Sequence, residues 1–367
     1  MIQMNNFRSD PRALIDEELA ACERVLHSGW FVLGEEVKRF EDAWATYCGT
    51  AYSVGVGNGL DAIEIGLRSL NIGAGDEVVT TPMTAFATVL GIIRAGATPV
   101  LADINPDTAL LDFDSVIRCI GSKTKAVLLV HMYGQIRGMS RWVELCNKYG
   151  LHLLEDCAQS HLASEGGLVA GSFGMWGAYS FYPTKNLGAV GDAGALVAND
   201  EHIVQNARTL RNYGQATRYE HNMLGMNSRL DEIQAAILNV RLNWLERFTQ
   251  RRRVIAQRYQ AEIQNPQMQL LAKPLELENH VYHLFVIRCA QRAHLMKHLK
   301  SKGIESLIHY PIPAHLQPAT PKLLHDPNGL INAELHAKEC MSIPCHHNMS
   351  DDEVTAVVHA LNTFCRT

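Results

Sequence analysis

Lys185 ends the run Ser180-Phe181-Tyr182-Pro183-Thr184-Lys185, just after a strand-like stretch, and Asp156 ends the apolar run Leu153-Leu154-Glu155-Asp156. A lysine in a partly desolvated site has an accessible neutral amine and can form a Schiff base with an aldehyde. Phe181 and Tyr182 offer such surroundings. An aspartate at the carboxyl end of a strand, where open α/β sheets gather their ligands, can hold a proton on a pyridine nitrogen. Together these two side chains are what pyridoxal phosphate chemistry needs. Gln159, three residues beyond Asp156, is within reach of a phenolic oxygen or of a simple turn hydrogen bond. The turn Gly57-Asn58-Gly59-Leu60-Asp61 joins a strand to a helix, where backbone N–H groups would cradle a phosphate and Ser180 could add a hydroxyl. Taken singly, each feature has a plain structural explanation: a surface lysine, a turn-capping aspartate, an ordinary Gly-Asn-Gly turn. Their company reverses those odds.

Such residues converge only if strands and helices alternate, and they do. Ala51–Val56, Glu77–Thr80, Thr98–Leu101, Lys125–His131 and Leu151–Glu155 read as strands. The stretches Asp61–Leu70, Ala85–Arg94 and Ser140–Tyr149 read as helices between them. This predicts an α/β fold with a mainly parallel sheet covered on both faces. After about residue 228 the pattern changes. A long helix runs from Leu230 towards Gln260, then come a strand Tyr282–Ile287, a helix Ala293–Lys302 and a last helix Asp351–Phe364. We expect a large domain over residues 1–240, including an N-terminal segment, and a small C-terminal α/β domain over 241–367.

A chain of 367 residues is longer than one hydrophobic core usually serves, and its net charge of -5 argues against nucleic acid as a partner. The apolar stretches Thr84–Ile93 and Ala126–Val130 are too short to span a membrane. Met1 to Asp10 lacks the apolar core of a secretory signal, and nine cysteines without a repeating spacing suit a reducing compartment, so a cytoplasmic location is expected. Cys340, Cys345, His346 and His347 resemble metal ligands, but adjacent histidines rarely reach one ion, so a loop is expected there and no metal.

Several further segments complete a pattern: Ser28-Gly29-Trp30-Phe31-Val32-Leu33-Gly34, Gly191-Asp192-Ala193-Gly194-Ala195, Arg211-Asn212-Tyr213-Gly214, and Gly225-Met226-Asn227-Ser228-Arg229-Leu230-Asp231-Glu232-Ile233-Gln234-Ala235-Ala236. With the motifs above, the chain resembles, essentially end to end, the DegT/DnrJ-type sugar-nucleotide aminotransferases of the aspartate aminotransferase (fold type I) architecture. The resemblance implies that Lys185 is the Schiff-base lysine, Asp156 the pyridinium partner and Gln159 the contact to the phenolic oxygen. It implies that Asn58, Gly59 and Ser180 bind the phosphate, with Asn227 contributed across a homodimer interface. Relatives carrying histidine at the lysine position dehydrate instead; the lysine here implies transamination, with pyridoxamine phosphate as the halfway form. One position departs from the pattern: an aromatic residue usually follows the threonine corresponding to Thr84 and stacks on the cofactor ring, but here Ala85 does, with Phe86 next.

The segment Ile308-His309-Tyr310-Pro311-Ile312-Pro313-Ala314-His315-Leu316-Gln317 is similar to the subgroup that aminates C3 of a dTDP-linked 3-keto-6-deoxyhexose. By that likeness Phe31, Tyr182, Tyr213, Arg229, His309, Tyr310 and His315 would face the substrate, L-glutamate would be the donor, and the product would serve O-antigen or another glycan. The alternatives are amination at C4 of a 4-keto sugar, a pyridoxal-binding regulator, or a catalytically silent homologue.

Overall fold

Two helices, α1 (Arg12–Ser28) and α2 (Glu35–Cys48), precede the first strand, each ending at a glycine with positive φ, Gly29 and Gly49. The computed structural model describes residues 1–365. Strands β1 (Tyr52–Val56), β2 (Glu77–Thr80), β3 (Thr98–Leu101), β4 (Thr124–Val130) and β5 (His152–Asp156) alternate with helices that include α3 (Gly59–Ser69) and α4 (Phe86–Arg94). They join Trp176–Ser180, Gly194–Ala198 and Leu324–His325 in one eight-stranded sheet. Its order is β1, Gly194–Ala198, Trp176–Ser180, β5, β4, β2, β3, Leu324–His325. All neighbours run parallel except Gly194–Ala198, which is antiparallel to both of its own.

Side chains alternate across a strand, and that period of two sets the chemistry. In β5, Leu153 faces the cluster of Phe40, Trp44, Tyr179 and Phe181, whereas Leu154 faces the opposite cluster with Ile63 and Trp176. Asp156 therefore shares the face of Leu154 and α3, while Glu155 points to the other. Trp176 and Ala178 put Ser180 on the α3 face by the same count.

Beyond the sheet, one unbroken helix spans Glu232–Glu262 and crosses the expected boundary at residue 240. An antiparallel sheet of Gln269–Leu270, Phe285–Arg288 and Cys340–Ile343 then packs with helices Arg292–Ser301 and Asp351–Asn362 around Ile287, Leu295, Met341 and Val357. Leu324–His325 leaves this region to pair with β3.

Most expected elements fall within two residues of their observed ends. The strand expected over Tyr282–Ile287 is shorter, Phe285–Arg288. Tyr282 has φ 46° and gives its N–H to His280 Nδ1, and Leu284 N–H goes to Tyr133 O, so these residues leave the ladder. Cys340, expected on a loop, lies in a strand instead. Cys340 Sγ approaches His309 O, Cys345 Sγ approaches Arg252 O, and His347 Nε2 meets Asp10 Oδ1 at 3.2 Å, so these side chains turn to separate partners. Among the described residues no helix is long and apolar enough to cross a membrane.

Candidate active site

Asp156 emerges buried at the carboxyl end of β5. Its Oδ2 accepts a hydrogen bond from Thr88 Oγ1 at 2.7 Å and its Oδ1 accepts one from Ala158 N–H at 3.1 Å. Three residues on, Gln159 is buried, its Oε1 accepting from Tyr133 N–H at 2.6 Å. That bond commits the amide oxygen and leaves Nε2 as the donor facing the site, 3.3 Å from the Tyr310 hydroxyl. Tyr310 is pushed up to about 12 by burial and by the Asp156 charge, so its hydroxyl stays protonated. One amide thus ties the strand end to the Ile308–Gln317 loop.

Lys185 follows the tight turn in which its N–H binds Tyr182 O, and it is half-buried. Burial pushes its amine down to about 8, with the Asp156 charge pulling the other way. Three histidines in its field are held neutral. His161, enclosed by Trp44, Tyr179 and Phe181, is driven to about 3 by burial and then by the Lys185 charge. His309, bonded through Nδ1 to Ser342 Oγ at 2.9 Å, is lowered to about 4 by the same two causes. His283 falls well below its usual value for those reasons, and its Nδ1 lies 3.3 Å from Asn186 Oδ1. Neutral imidazoles around the lysine add no competing charge.

The turn at the start of α3 is tightly built. Asn58 Oδ1 accepts from Asp61 N–H at 2.9 Å, its Nδ2 donates to Asp61 Oδ2 at 3.0 Å, and Gly57 N–H donates to Ser228 Oγ at 3.0 Å. A Cβ on Gly59 would come within 2.7 Å of Ser180 Cβ. Only glycine lets the helix start close against Ser180, which leaves free N–H groups beside a hydroxyl, the donor set for a phosphate. With an amine of lowered proton affinity and the Asp156 carboxylate nearby, these residues fit pyridoxal phosphate.

Other expected residues lie at the rim. Asn227 is exposed, bridged to Asn212 and one residue from Ser228, hence beside the Gly57 turn. Arg229 donates to Asn212 Oδ1 at 3.2 Å and lies 5.4 Å from the centre of the Tyr213 ring. Phe31, Tyr182 and Tyr213 are about half exposed, at 50%, 51% and 46%. Phe31 is held from behind: Glu232 N–H donates to Phe31 O, and the Glu232 carboxylate accepts from Gly34, Glu36 and Val37 N–H at 2.7 to 3.0 Å, capping α2. His315 Nε2 is directed at Glu334 Oε1, 3.2 Å away. Phe86 does not replace the ring missing at Ala85. It packs beside Met83, Val89 and Tyr133, because Ala85 is the cap of α4 and Phe86 its first residue.

Over residues 12–362 the chain matches the DegT/DnrJ/EryC1/StrS aminotransferase family. It belongs to that family. It is 43% identical over 344 residues to the dTDP-3-amino-3,6-dideoxy-alpha-D-galactopyranose transaminase of Aneurinibacillus thermoaerophilus, covering 94% of each chain. It is 40% identical over 352 residues to a pleiotropic regulatory protein of Geobacillus stearothermophilus, covering 95% of each. The crystal structure of S. venezuelae DesV in complex with a ketimine intermediate superimposes with a TM-score of 0.93 at 38% identity, over 99% of this chain and 97% of that one. As a DegT/DnrJ/EryC1/StrS aminotransferase the chain uses pyridoxal 5'-phosphate, and its fold is that of the aminotransferases in this family.

The lowered amine gives this aminotransferase a defined pH response. Only unprotonated lysine attacks an aldehyde, so loading of the apo-protein with pyridoxal phosphate should accelerate as pH rises and level off above about 8. Following the visible absorbance from about pH 6 to about pH 10 checks this. A rate still climbing towards the usual 10.5 would contradict a desolvated lysine.

Proposed function

We propose that this aminotransferase moves an amino group from L-glutamate to C3 of a dTDP-linked 3-keto-6-deoxyhexose, acting in the cytoplasm as a homodimer with shared active sites. The product would be an amino sugar for O-antigen or another surface glycan. The observation that carries the reading is the convergence of Lys185, its amine lowered by burial, with Asp156 and Gln159 at the end of β5 and with the Gly59 turn packed against Ser180. The choice of C3 and of dTDP draws its support from likeness to the Aneurinibacillus enzyme and from the Ile308–Gln317 loop, whose Tyr310 meets Gln159.

When bound, pyridoxal phosphate supplies an aldehyde that takes up the donor's amine and a ring that accepts the electron pair of the broken C–H bond. Lys185 would hold the cofactor through its amine and, once L-glutamate has taken its place, would move the proton from the donor's α carbon, with water supplying the keto oxygen of the released 2-oxoglutarate. A lysine near pH 8 can do both, because neither protonation state is scarce. Asp156 would hold a proton on the ring nitrogen, and Gln159 Nε2 would be the donor to the phenolic oxygen. Asn58, Gly59 and Ser180 would hold the phosphate, with Asn227 reaching across the dimer. Phe31, Tyr182, Tyr213, Arg229, His309, Tyr310 and His315 line the path of the nucleotide sugar; Tyr213 with Arg229 stacked on it offers one charged, flat surface there. The ketosugar then undergoes the same proton movements in reverse order.

The likeness to a pleiotropic regulatory protein favours a second reading, a non-catalytic pyridoxal-binding regulator. The two separate cleanly. Purified protein should be yellow and should bleach with L-glutamate, and incubation with dTDP-linked 3-keto and 4-keto sugars should put nitrogen on C3 as located by NMR. Amination at C4 alone would overturn the positional assignment, and absence of turnover with either sugar would favour the regulator.

A further inference from the structure

Two threonines beneath Asp156 have no part in the scheme above. Thr84, Thr88 and Asp156 are all buried; Thr84 Oγ1 lies 2.7 Å from Thr88 Oγ1, and Thr88 Oγ1 lies 2.7 Å from Asp156 Oδ2. An ionised carboxylate only accepts hydrogen bonds, and a hydroxyl has one proton to give. Thr88 must therefore spend its proton on Asp156, and its oxygen can only accept from Thr84. The chain runs one way: Thr84 to Thr88 to Asp156. Successive hydroxyl bonds polarise one another, and a bond to a charged acceptor is the strong kind. With Ala158 N–H on Oδ1, each carboxylate oxygen is held by one donor, fixing the plane of the group.

We propose that Thr88, oriented by Thr84, is a positioning residue that aims the Asp156 carboxylate at the cofactor's ring nitrogen and keeps it an acceptor, so that the shared proton stays on the ring. The local backbone explains how. Thr84 precedes the extended cap residue Ala85, and Thr88, in the first turn of α4, gives its own N–H to Ala85 O. This spacing turns both hydroxyls towards one another. Ala85 brings only a methyl group to this turn, so hydrogen bonding beneath the ring orients the cofactor where no aromatic side chain follows Thr84.

The proposal rests on Asp156 being the ring-nitrogen partner, and its test separates the two. Full-length Thr88→Val, Thr88→Ser and Thr84→Val proteins are stripped of cofactor and titrated with pyridoxal 5'-phosphate, and the visible band of each loaded protein is followed against pH. Losing a bond to a charged group should weaken cofactor binding by about tenfold or more in Thr88→Val, and Thr88→Ser should stay within about twofold of the parent. The pH midpoint of the band should move in Thr88→Val and, less far, in Thr84→Val. In turnover, kcat should fall while KM for the sugar holds. Thr88→Val with the parent's affinity and midpoint, or Thr88→Ser as impaired as Thr88→Val, would overturn the proposal. If Thr88→Val does not fold, an unchanged midpoint in Thr84→Val overturns it instead. A parent protein that forms no visible band would defeat the reading of Lys185 and Asp156, a different failure.

Discussion

Lys185→Ala should lose transamination by about 10²–10⁴-fold or more if the side chain is, as proposed, both anchor and proton carrier. Stopped-flow mixing with L-glutamate would measure it: the parent's visible band should bleach quickly and the variant's hardly at all. Stability should not fall. A desolvated lysine with an amine near 8 costs folding free energy below that pH, where the folded state must either bury a charge or give up a proton that the unfolded chain keeps up to about 10.5. In the window between those values the unfolded chain binds more protons, so the parent gains stability as pH rises there. Alanine abolishes that slope. A variant less stable than the parent at pH 7, or one that still bleaches at the parent's rate, would contradict the role.

The largest effect on stability is expected one residue from Asp156. Glu155, fully buried, accepts from His131 Nε2 at 2.9 Å, Gly171 N–H at 2.8 Å, and Phe173 and Gly174 N–H at 2.9 Å each. Four donors saturate the carboxylate and pin the segment 171–174 under the sheet. Although His131, Glu155 and Cys157 are close enough together to suggest a metal site, all the carboxylate's near acceptor positions are already used. Glu155→Leu would strand those donors in the interior and should cost about 3–5 kcal/mol. Against a typical total of roughly 5–15 kcal/mol that is a large share. Urea unfolding followed by tryptophan fluorescence gives the number; Trp44 and Trp176 lie buried on the two faces of the sheet. A midpoint within error of the parent's would show that solvent or neighbouring groups take over the four bonds.

Much of this was legible in residue order, for identifiable reasons. Strands such as β4 and β5 are short apolar runs punctuated by glycine and polar turns, so period and punctuation marked them. The Gly57–Asp61 turn was readable because glycine and asparagine punctuate a strand-to-helix junction; that a Cβ on Gly59 would strike Ser180 needed the structure. Lys185, Asp156 and Gln159 were recognisable as a set and are brought to one end of the sheet. Thr88, His161, His283 and Glu155 were not singled out. Their roles depend on contacts made across 68 residues in the case of Thr88 with Asp156, and no local pattern distinguishes a threonine in an apolar helix from one bonded to a carboxylate. The strand Leu324–His325 was missed because two residues carry no period. His315 lies in a recognisable motif, and what residue order does not show is that its Nε2 is directed at Glu334.

That short strand has a bearing on how the molecule comes into being. Leu324 and His325 pair with Val100 and Leu101, and just beyond them Asp326 is clasped by Arg118 at 2.6 Å and by Ser115. As the polypeptide leaves the ribosome, β3 therefore has no neighbour on its outer side until Leu324 and His325, far downstream of the rest of the sheet, have been made. An unpaired edge invites pairing with other chains, and contacts between distant residues form slowly. The sheet that carries Asp156, though built almost entirely from the first two hundred residues, is sealed only by a late arrival, so the edge at β3 stays open through the synthesis of everything between.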